Sequence, residues 1–316
     1  MLEKQDMEWE TRRLEPGTLW AKVKERTEYA LQCGALQSFQ TDCKFVEQDG
    51  VNFLVRIMPN LARKEKAKKN QEEESASSGT DINPFLPYDK DLFVTDISDT
   101  HLCLLNKYNV IDHHLLMVTR SFEHQENWLS LRDFEAMWAC LAEIDGLVFY
   151  NAGTTAGASQ RHKHLQLVPL PLVGKGPRVP IESVLSSAVF EGSVGTVPAF
   201  PFAHAIARLD PAWATSPSDA ASSTLDSYFH LLRAVGLIKN PILNGVRQTG
   251  AYNLLATRKW MLIVPRSLEA FDSIGVNSLG FAGALLVRSS EQMKVLKESG
   301  PMRVLQSVAL PNELKV

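Results

Sequence analysis

Residues 147–170 restrict the fold of this chain more than any other stretch. The run LVFYN (147–151) reads as a strand, the loop AGTTAGASQR (152–161) is built from small residues, and HKHLQLVPL (162–170) reads as a second strand. Side chains alternate faces along a strand, so His162, His164 and Gln166 point one way and Lys163, Leu165 and Leu167 the other. Three polar groups on one face have a reason if that face lines a cleft.

The residue types suggest what such a cleft could do. A neutral imidazole can attack phosphorus, and the resulting phosphoramidate splits one transfer into two easier steps. A neighbouring histidine can orient that ring, and an amide such as Gln166 can donate to a phosphate oxygen as charge develops. Gly153, Ala156, Gly157, Ala158 and Ser159 let backbone N–H groups approach an anion, while Ser159 and Gln160 add side-chain donors. H-x-H on a strand can also bind zinc or be inert, although no cysteine or carboxylate nearby offers an obvious third ligand, so no protein-held metal is expected. His113 and His114 lie in an apolar run, where one should face inward and one outward. His204 fits either a cleft-lining or a core-packing role.

Composition narrows the class. The chain has 316 residues, 45% hydrophobic and 22% charged, with a net charge of −3. That length allows one large domain or two joined ones. The charge offers no general attraction to nucleic acid or anionic membrane, and basic clusters interleaved with aromatics are lacking. No apolar run approaches the roughly 20 residues of a spanning helix. The charged start, MLEKQDMEWETRRLEPG, lacks a signal-peptide core. Cys33, Cys43, Cys103 and Cys140 form no C-x-x-C pair. The expectation is a cytoplasmic protein with reduced thiols, and a chain with its own core is consistent with a monomer.

Helical spacing predicts a helix over 17–46, and 51–59 reads as a strand. Residues 62–80 are polar, charged and without aromatics, which predicts a mobile lid. HLCLL and IDHHLLMV within 101–118 read as strands, and a helix starts at Ser130 with Asp133 as its capping-box partner. Further β-like runs lie in 198–210, 251–266 and 277–288. Residues 211–224 read as a polar connection, 224–237 as a helix, and 289–308 as a helix interrupted at Pro301. The fold class is α+β, with two similar halves sharing a cleft.

H-x-H-x-Q followed by apolar residues resembles the histidine-triad superfamily, in which the middle histidine is the nucleophile. Its hydrolases carry a third histidine where this chain has Gln166. Glutamine characterises transferase branches, including galactose-1-phosphate uridylyltransferase and the diadenosine polyphosphate phosphorylases (ATP adenylyltransferases). NPFLPYDKDLFV (83–94), LLNKYNVIDHHLLMVTRSF (104–122), FYNAGTTAGASQRHKHLQLVPLP (149–171), FPFAHAIARLD (200–210), YNLLATRKWMLIVPR (252–266) and NSLGFAGALLVR (277–288) resemble the phosphorylase branch in order and spacing.

The resemblance implies histidine-triad-like antiparallel sheets with flanking helices. It places the catalytic strand in an N-terminal half, 1–172, followed by an ATP-adenylyltransferase half, 173–316. It implies that a dinucleoside tetraphosphate and phosphate give ATP and ADP, reversibly, through an adenylylated histidine. His164 would be the nucleophile, His162 its orienting neighbour and Gln166 the donor to phosphate. Asn151 and Gly157, Ala158, Ser159 and Gln160 would cradle phosphates or ribose. Asn106 and Lys107 match a nucleotide-contacting pair. Asn277, Ser278, Leu279, Ala284 and Arg288 match a stretch that reaches substrate; family members often carry Met and Lys at the last two positions. Lys64 aligns with a substrate-binding lysine, though composition reads it equally as a solvated linker charge. The partners implied are diadenosine polyphosphates, ATP, ADP and phosphate, with Mg2+ accompanying the polyphosphate. The competing readings are a uridylyltransferase, which usually has proline between the histidines, and a dinucleotide sensor without turnover.

Overall fold

Alternation along the strands decides which surfaces the helices must cover. The computed structural model describes residues 14–58, 83–174, 176–238 and 246–312. Lys64 and the expected lid at 62–80 lie outside the described residues. The N-terminal half contains α1 (Leu19–Gln32), β1 (Asp42–Gln48), β2 (Val51–Ile57), β3 (Phe93–Asp96), β4 (His101–Leu105), β5 (Leu115–Thr119), α2 (Leu131–Glu143), β6 (Gly146–Ala152) and β7 (His164–Pro169). It is followed by α3 (Glu182–Leu185), β8 (Val189–Glu191), β9 (Val194–Thr196), β10 (Ala205–Arg208), α4 (Pro217–Ala234), β11 (Tyr252–Ala256) and β12 (Trp260–Pro265). Then come β13 (Ala270–Phe271), β14 (Ile274–Gly275), α5 (Ser278–Phe281), β15 (Ala284–Val287), α6 (Ser290–Ser299) and α7 (Pro301–Val308).

Ten of these strands form one sheet in the order β3-β4-β5-β7-β6-β11-β12-β10-β9-β8, with antiparallel pairing throughout. The two halves meet inside it, where β6 pairs with β11 and Asn151 stands opposite Asn253. A smaller sheet, β1-β2-β15, joins the halves again through the parallel pair β2–β15.

One face of the large sheet carries Met117, Tyr150, Leu165 and Leu167, buried with residues of α1, α2 and α4 such as Val23, Trp138 and Tyr228. The opposite face carries Leu147, Phe149 and Val168 in a second core with β2, β15 and α7. A small third cluster holds Phe85, Leu102, Leu104, Leu116 and Val118. Gln166 stands in register with Leu116 on one side and Phe149 on the other, which places it at the seam between the second and third clusters. Each fully buried side chain such as Leu165 contributes about 1.5–3 kcal/mol over leaving it exposed.

Several expectations are corrected. The helix predicted over 17–46 ends at Gln32, and residues 42–48 are a strand paired with β2. Asp49 and Gly50 both have positive φ, 51° and 78°, as a two-residue hairpin turn requires. β1 is largely exposed, so it lacks the alternation that marks a half-buried strand. The helix predicted at 224–237 begins at Pro217, because Ala220, Ala221 and Thr224 are buried and give the polar run an inward face. Residues 278–281 are a short helix capped by Asn277 rather than part of a strand. The final helix breaks as expected, with Gly300 at φ 84° before Pro301. His204 is a core residue: its Nδ1–H donates to the Phe202 carbonyl at 2.8 Å and its Nε2 accepts from Val197 N–H at 2.7 Å.

The covered face also holds a buried polar cluster. Lys163, between the two histidines, is 1% exposed, and its ammonium donates to Asp133 Oδ2 at 2.7 Å, the Trp128 carbonyl at 3.0 Å and Glu123 Oε2 at 3.1 Å. Asp133 caps α2 by accepting from Ser130 N–H at 2.7 Å, and it also meets His101 Nε2 at 3.2 Å. Burial alone would raise the Asp133 carboxyl; the His101 hydrogen bond and the Lys163 charge outweigh it and hold it well below the usual carboxylate range. A depressed carboxyl adds stability above its unfolded pKa of about 3.9, and that stability fades as pH falls through the folded value. Lys163→Met should cost about 3–5 kcal/mol at neutral pH, because Asp133 stays buried with a partner removed. Urea unfolding measures this, and a midpoint equal to wild type would show the pair to be dispensable.

Candidate active site

Strand β7 begins at His164; His162, expected within it, lies just before and forms an isolated antiparallel bridge with His124. Phe85 nonetheless touches both imidazoles, with ring centroids 5.6 Å from His162 and 5.3 Å from His164, so the two histidines share a face. Gln166 follows two residues later on that face.

Hydrogen bonding assigns the tautomers. His164 Nδ1 lies 2.8 Å from the His162 carbonyl, which can only accept, so Nδ1 carries the proton and Nε2 carries the lone pair. Burial lowers the His164 pKa to about 4, which keeps the ring neutral near pH 7. Thus the His162 carbonyl, not its imidazole, orients the His164 ring. The His162 Nε2 faces the Thr119 carbonyl at 2.8 Å and must donate to it, leaving Nδ1 to accept from Asn83 Nδ2 at 3.0 Å. Burial also lowers the His162 pKa.

Gln166 is held by a relay. Asn106 Nδ2 donates to His114 Nδ1 at 3.1 Å, and His114 Nε2–H donates to Gln166 Oε1 at 3.0 Å. The Gln166 amide NH2 is thereby left to donate elsewhere. Burial brings the His114 pKa to about 4, so the relay works with a neutral ring that passes one hydrogen bond in one direction. His114 is the inward member of the pair expected from the sequence. His113 has φ 56° and is half-buried, with Nδ1 3.1 Å from Thr27 Oγ1.

The small-residue loop supports the same face. Gly153 and Gly157 have φ of 90° and 87° around a short 3-10 turn, Thr154–Ala156. The amides of Ala156, Gly157 and Ala158 close that turn, whereas those of Ser159 and Gln160 donate to no described group. A Cβ at Gly157 would come within 2.9 Å of Asn277 Cβ, so this loop abuts the 277–279 stretch. Asn151 and Ser278 are buried beneath. Asn151 Oδ1 accepts from Asn253 Nδ2 at 2.9 Å and Ser278 N–H at 2.9 Å, and Arg266 anchors Asn253 Oδ1 at 2.6 Å. Lys107 is half-buried with its ammonium 5.9 Å from the Tyr108 ring. Ala284 is buried on β15 in the second core, and Arg288 is exposed at the end of that strand. Among the described residues, no group of three His, Cys, Asp or Glu could hold a metal ion.

Sequence reasoning missed Asn83, Thr119, His114 and Gln125 as site-building residues. The Gln125 side chain bonds both ends of the His164 peptide unit, its Oε1 accepting from His164 N–H at 2.9 Å and its Nε2 donating to the carbonyl at 3.2 Å. Asn83 and Thr119 fall inside stretches quoted for the resemblance; Gln125 lies just beyond one and has no sequence signal.

The family model described as the Ap4A phosphorylase N-terminal domain matches residues 9–187, and that of the ATP adenylyltransferase C-terminal domain matches residues 198–311. A diadenosine tetraphosphate phosphorylase 2 of Saccharomyces cerevisiae is 28% identical over 306 residues, covering 88% of this chain and 89% of that protein. The crystal structure of yeast Ap4A phosphorylase Apa2 is similar with a TM-score of 0.76 and 26% identity, covering 96% of this chain and 98% of its own. Apa2 in complex with AMP gives 0.75 and 25%, with coverage of 95% and 100%.

Two outcomes follow from the tautomers. Covalent labelling of His164, followed by rapid quench, should lose rate only as pH approaches about 4, where the ring protonates; an inflection near the ordinary histidine value of about 6.5 would contradict the buried neutral ring. His114→Ala should slow transfer by about 1–1.5 kcal/mol of barrier, the scale of one neutral hydrogen bond, while nucleotide affinity holds. His114→Asn, which retains a donor, should recover part of the rate; an equal loss in both would argue against the relay.

Proposed function

The chain belongs to the Ap4A phosphorylase family, and from that premise we propose that it cleaves diadenosine tetraphosphate with inorganic phosphate to ATP and ADP, reversibly, through an adenylyl-His164 intermediate. As a member of that family it is a nucleotidyltransferase. The observation that carries the reading is the His164 ring, neutral and held through Nδ1 so that its Nε2 lone pair is available.

In the first step Nε2 attacks the phosphorus next to one adenosine, and the bond to the bridging oxygen breaks, releasing ATP. The ring becomes cationic with its proton on Nδ1, and the His162 carbonyl accepts that hydrogen bond more strongly. The Gln166 amide donates to the non-bridging oxygens as charge builds. An amide cannot pass a proton as a third histidine could, which favours capture by phosphate over rapid attack by water. The Ser159 and Gln160 amides, with Asn277 close behind the loop, support the phosphates and ribose; Lys107 is an outer contact. Magnesium enters with the polyphosphate as part of the substrate. The chain works as a cytoplasmic enzyme, and among its described residues no helix is long and apolar enough to cross a membrane.

Product analysis tests the reaction. Diadenosine tetraphosphate with phosphate should yield ATP and ADP, whereas ATP and AMP formed without phosphate would identify a hydrolase and overturn the assignment. His164→Ala should abolish turnover and labelling while nucleotide binding stays within about tenfold. Gln166→Ala should raise the transfer barrier by about 2–4 kcal/mol, the scale of losing one donor to a developing charge. An unchanged rate would make Gln166 a bystander.

A further inference from the structure

Antiparallel pairing between β6 and β7 runs from Gly146–Pro169 to Phe149–Gln166 and stops there. Carried two residues further, the same register would set Asn151 opposite His164, and their peptide units could exchange hydrogen bonds directly. The Gln125 carboxamide lies between them instead. Its Nε2 donates to the Asn151 carbonyl at 3.0 Å and to the His164 carbonyl at 3.2 Å, and its Oε1 accepts from His164 N–H at 2.9 Å. A primary amide carries the donor and acceptor of a peptide group, so it can stand in for a strand at this one position. Gln125 is buried, and both hydrogens of its NH2 group are used in holding the two strands apart.

The segment that delivers Gln125 is itself tied on two sides. Gln125 N–H donates to the Arg161 carbonyl at 2.7 Å and Lys163 N–H to the Glu123 carbonyl at 2.8 Å, which joins it to the chain entering β7. Trp128 N–H donates to the Val246 carbonyl at 2.8 Å and Gln248 N–H to the Glu126 carbonyl at 2.9 Å, which joins it to the C-terminal half. The Tyr150 hydroxyl donates to the Gln125 carbonyl from β6. The side chain is thus an anchored wedge at the fork where the small-residue loop leaves the sheet. Gln125 lines a cavity there with Gly153, Thr154, Ala158 and Gln160 of that loop.

Resting on the function proposed above, we propose that Gln125 is a positioning residue for adenylyl transfer, its carboxamide setting how far His164 stands from the small-residue loop. It acts through the His164 main chain rather than on a reacting atom. The contact from Nδ1 to the His162 carbonyl fixes the rotation of the His164 ring, but not the place of the strand from which the ring projects. The wedge supplies that second constraint. A misplacement of about 1 Å between reacting groups can cost about a hundredfold in rate, so a constraint on the main chain is felt at phosphorus. Gln166 is the last β7 residue laddered to β6, so His164 and Gln166 stand on opposite sides of the fork, and the wedge sets their relation to the loop.

The test reads labelling on protein whose melting curve shows it to be folded. Gln125→Asn keeps both polar groups but draws them back by one methylene. Single-turnover labelling by adenosine-labelled diadenosine tetraphosphate should slow at least about tenfold, while the dissociation constant for AMP stays within about threefold. Ile206→Ala, a core change on β10, controls for lost stability and should label at the wild-type rate. Gln125→Glu keeps the acceptor for His164 N–H but sets a carboxylate against two carbonyl oxygens. Burial and those oxygens raise the new carboxyl above its ordinary pKa of about 4.3, so protonation restores a donor as pH falls. From about pH 9 to about pH 5 the labelling rate of this variant should climb at least about threefold while the wild-type rate stays level. A Gln125→Asn loss no larger than that of Ile206→Ala, or a Gln125→Glu profile parallel to wild type, overturns the proposal. Should neither variant fold, amide exchange in the wild type decides: His164 N–H should exchange as slowly as the laddered amides of β7. Exchange as fast as that of Ser159 N–H, which donates to no described group, overturns the wedge. Wild-type protein that takes up no label overturns the covalent reading on which this inference rests; wild type that labels beside an equally fast Gln125→Asn overturns the wedge alone.

Discussion

Lys163 follows His162 and precedes His164, and strand alternation sends its side chain to the face that helices α1, α2 and α4 cover. An ammonium in that position needs anions, and it finds Asp133 at the start of α2 and Glu123 on the neighbouring segment. At 2.7 Å the attraction to Asp133 is about 6 kcal/mol at an effective dielectric of about 20. Several kcal/mol of desolvation per ion offset it, so the pair adds little net stability. Its consequence is register. A slip by one residue would exchange the faces, putting His164 into the helix-covered core and pulling Lys163 away from Asp133. The position of His164 therefore depends on a charge pair on the opposite side of the sheet.

On the cleft side, burial and hydrogen bonding act together. Neutral histidine has one donor nitrogen and one acceptor, so fixing one end fixes the other. The His162 carbonyl does this for His164, and Asn106 does it for His114, which then holds Gln166. Both rings titrate at about 4 because burial penalises their charged forms. Charging the rings would take the lone pair from His164 Nε2 and the acceptor at His114 Nδ1 that receives the Asn106 hydrogen bond, while the donors to the His162 carbonyl and to Gln166 would remain.

The C-terminal half contributes a floor beneath the small-residue loop. Arg266 is buried and spends its guanidinium on Asn253 Oδ1 and on the carbonyls of Val276 and Val308. Asn253 in turn reaches Asn151 and Ser278 across the junction of β6 and β11. This network draws the 277–279 stretch against Gly157, where the lack of a side chain permits the approach. Asn151 and Ser278 thus serve the site by holding its two halves together, whatever else they touch.

The sequence alone determined the α+β class, the strand–loop–strand unit, the shared face of His162, His164 and Gln166, one inward and one outward histidine at 113–114, the Asp133 cap and the break at Pro301. All of these follow from periodicity or from local hydrogen bonding, which act over a few residues. It misread β1, whose exposed side chains lack alternation, and the start of α4, whose polar composition hides a face that is apolar only against Trp138 and its neighbours. Only the tertiary structure decided that the two halves share one ten-stranded sheet, that Lys163 meets Asp133, that Asn106 acts through His114, that Gln125 grips the His164 main chain, and that Arg161 and Arg247 line one cavity. These partners are separated by 8 to 86 residues along the chain. Linear patterns carry no record of which distant donor meets which acceptor, because that pairing is settled by packing only once the cores have closed.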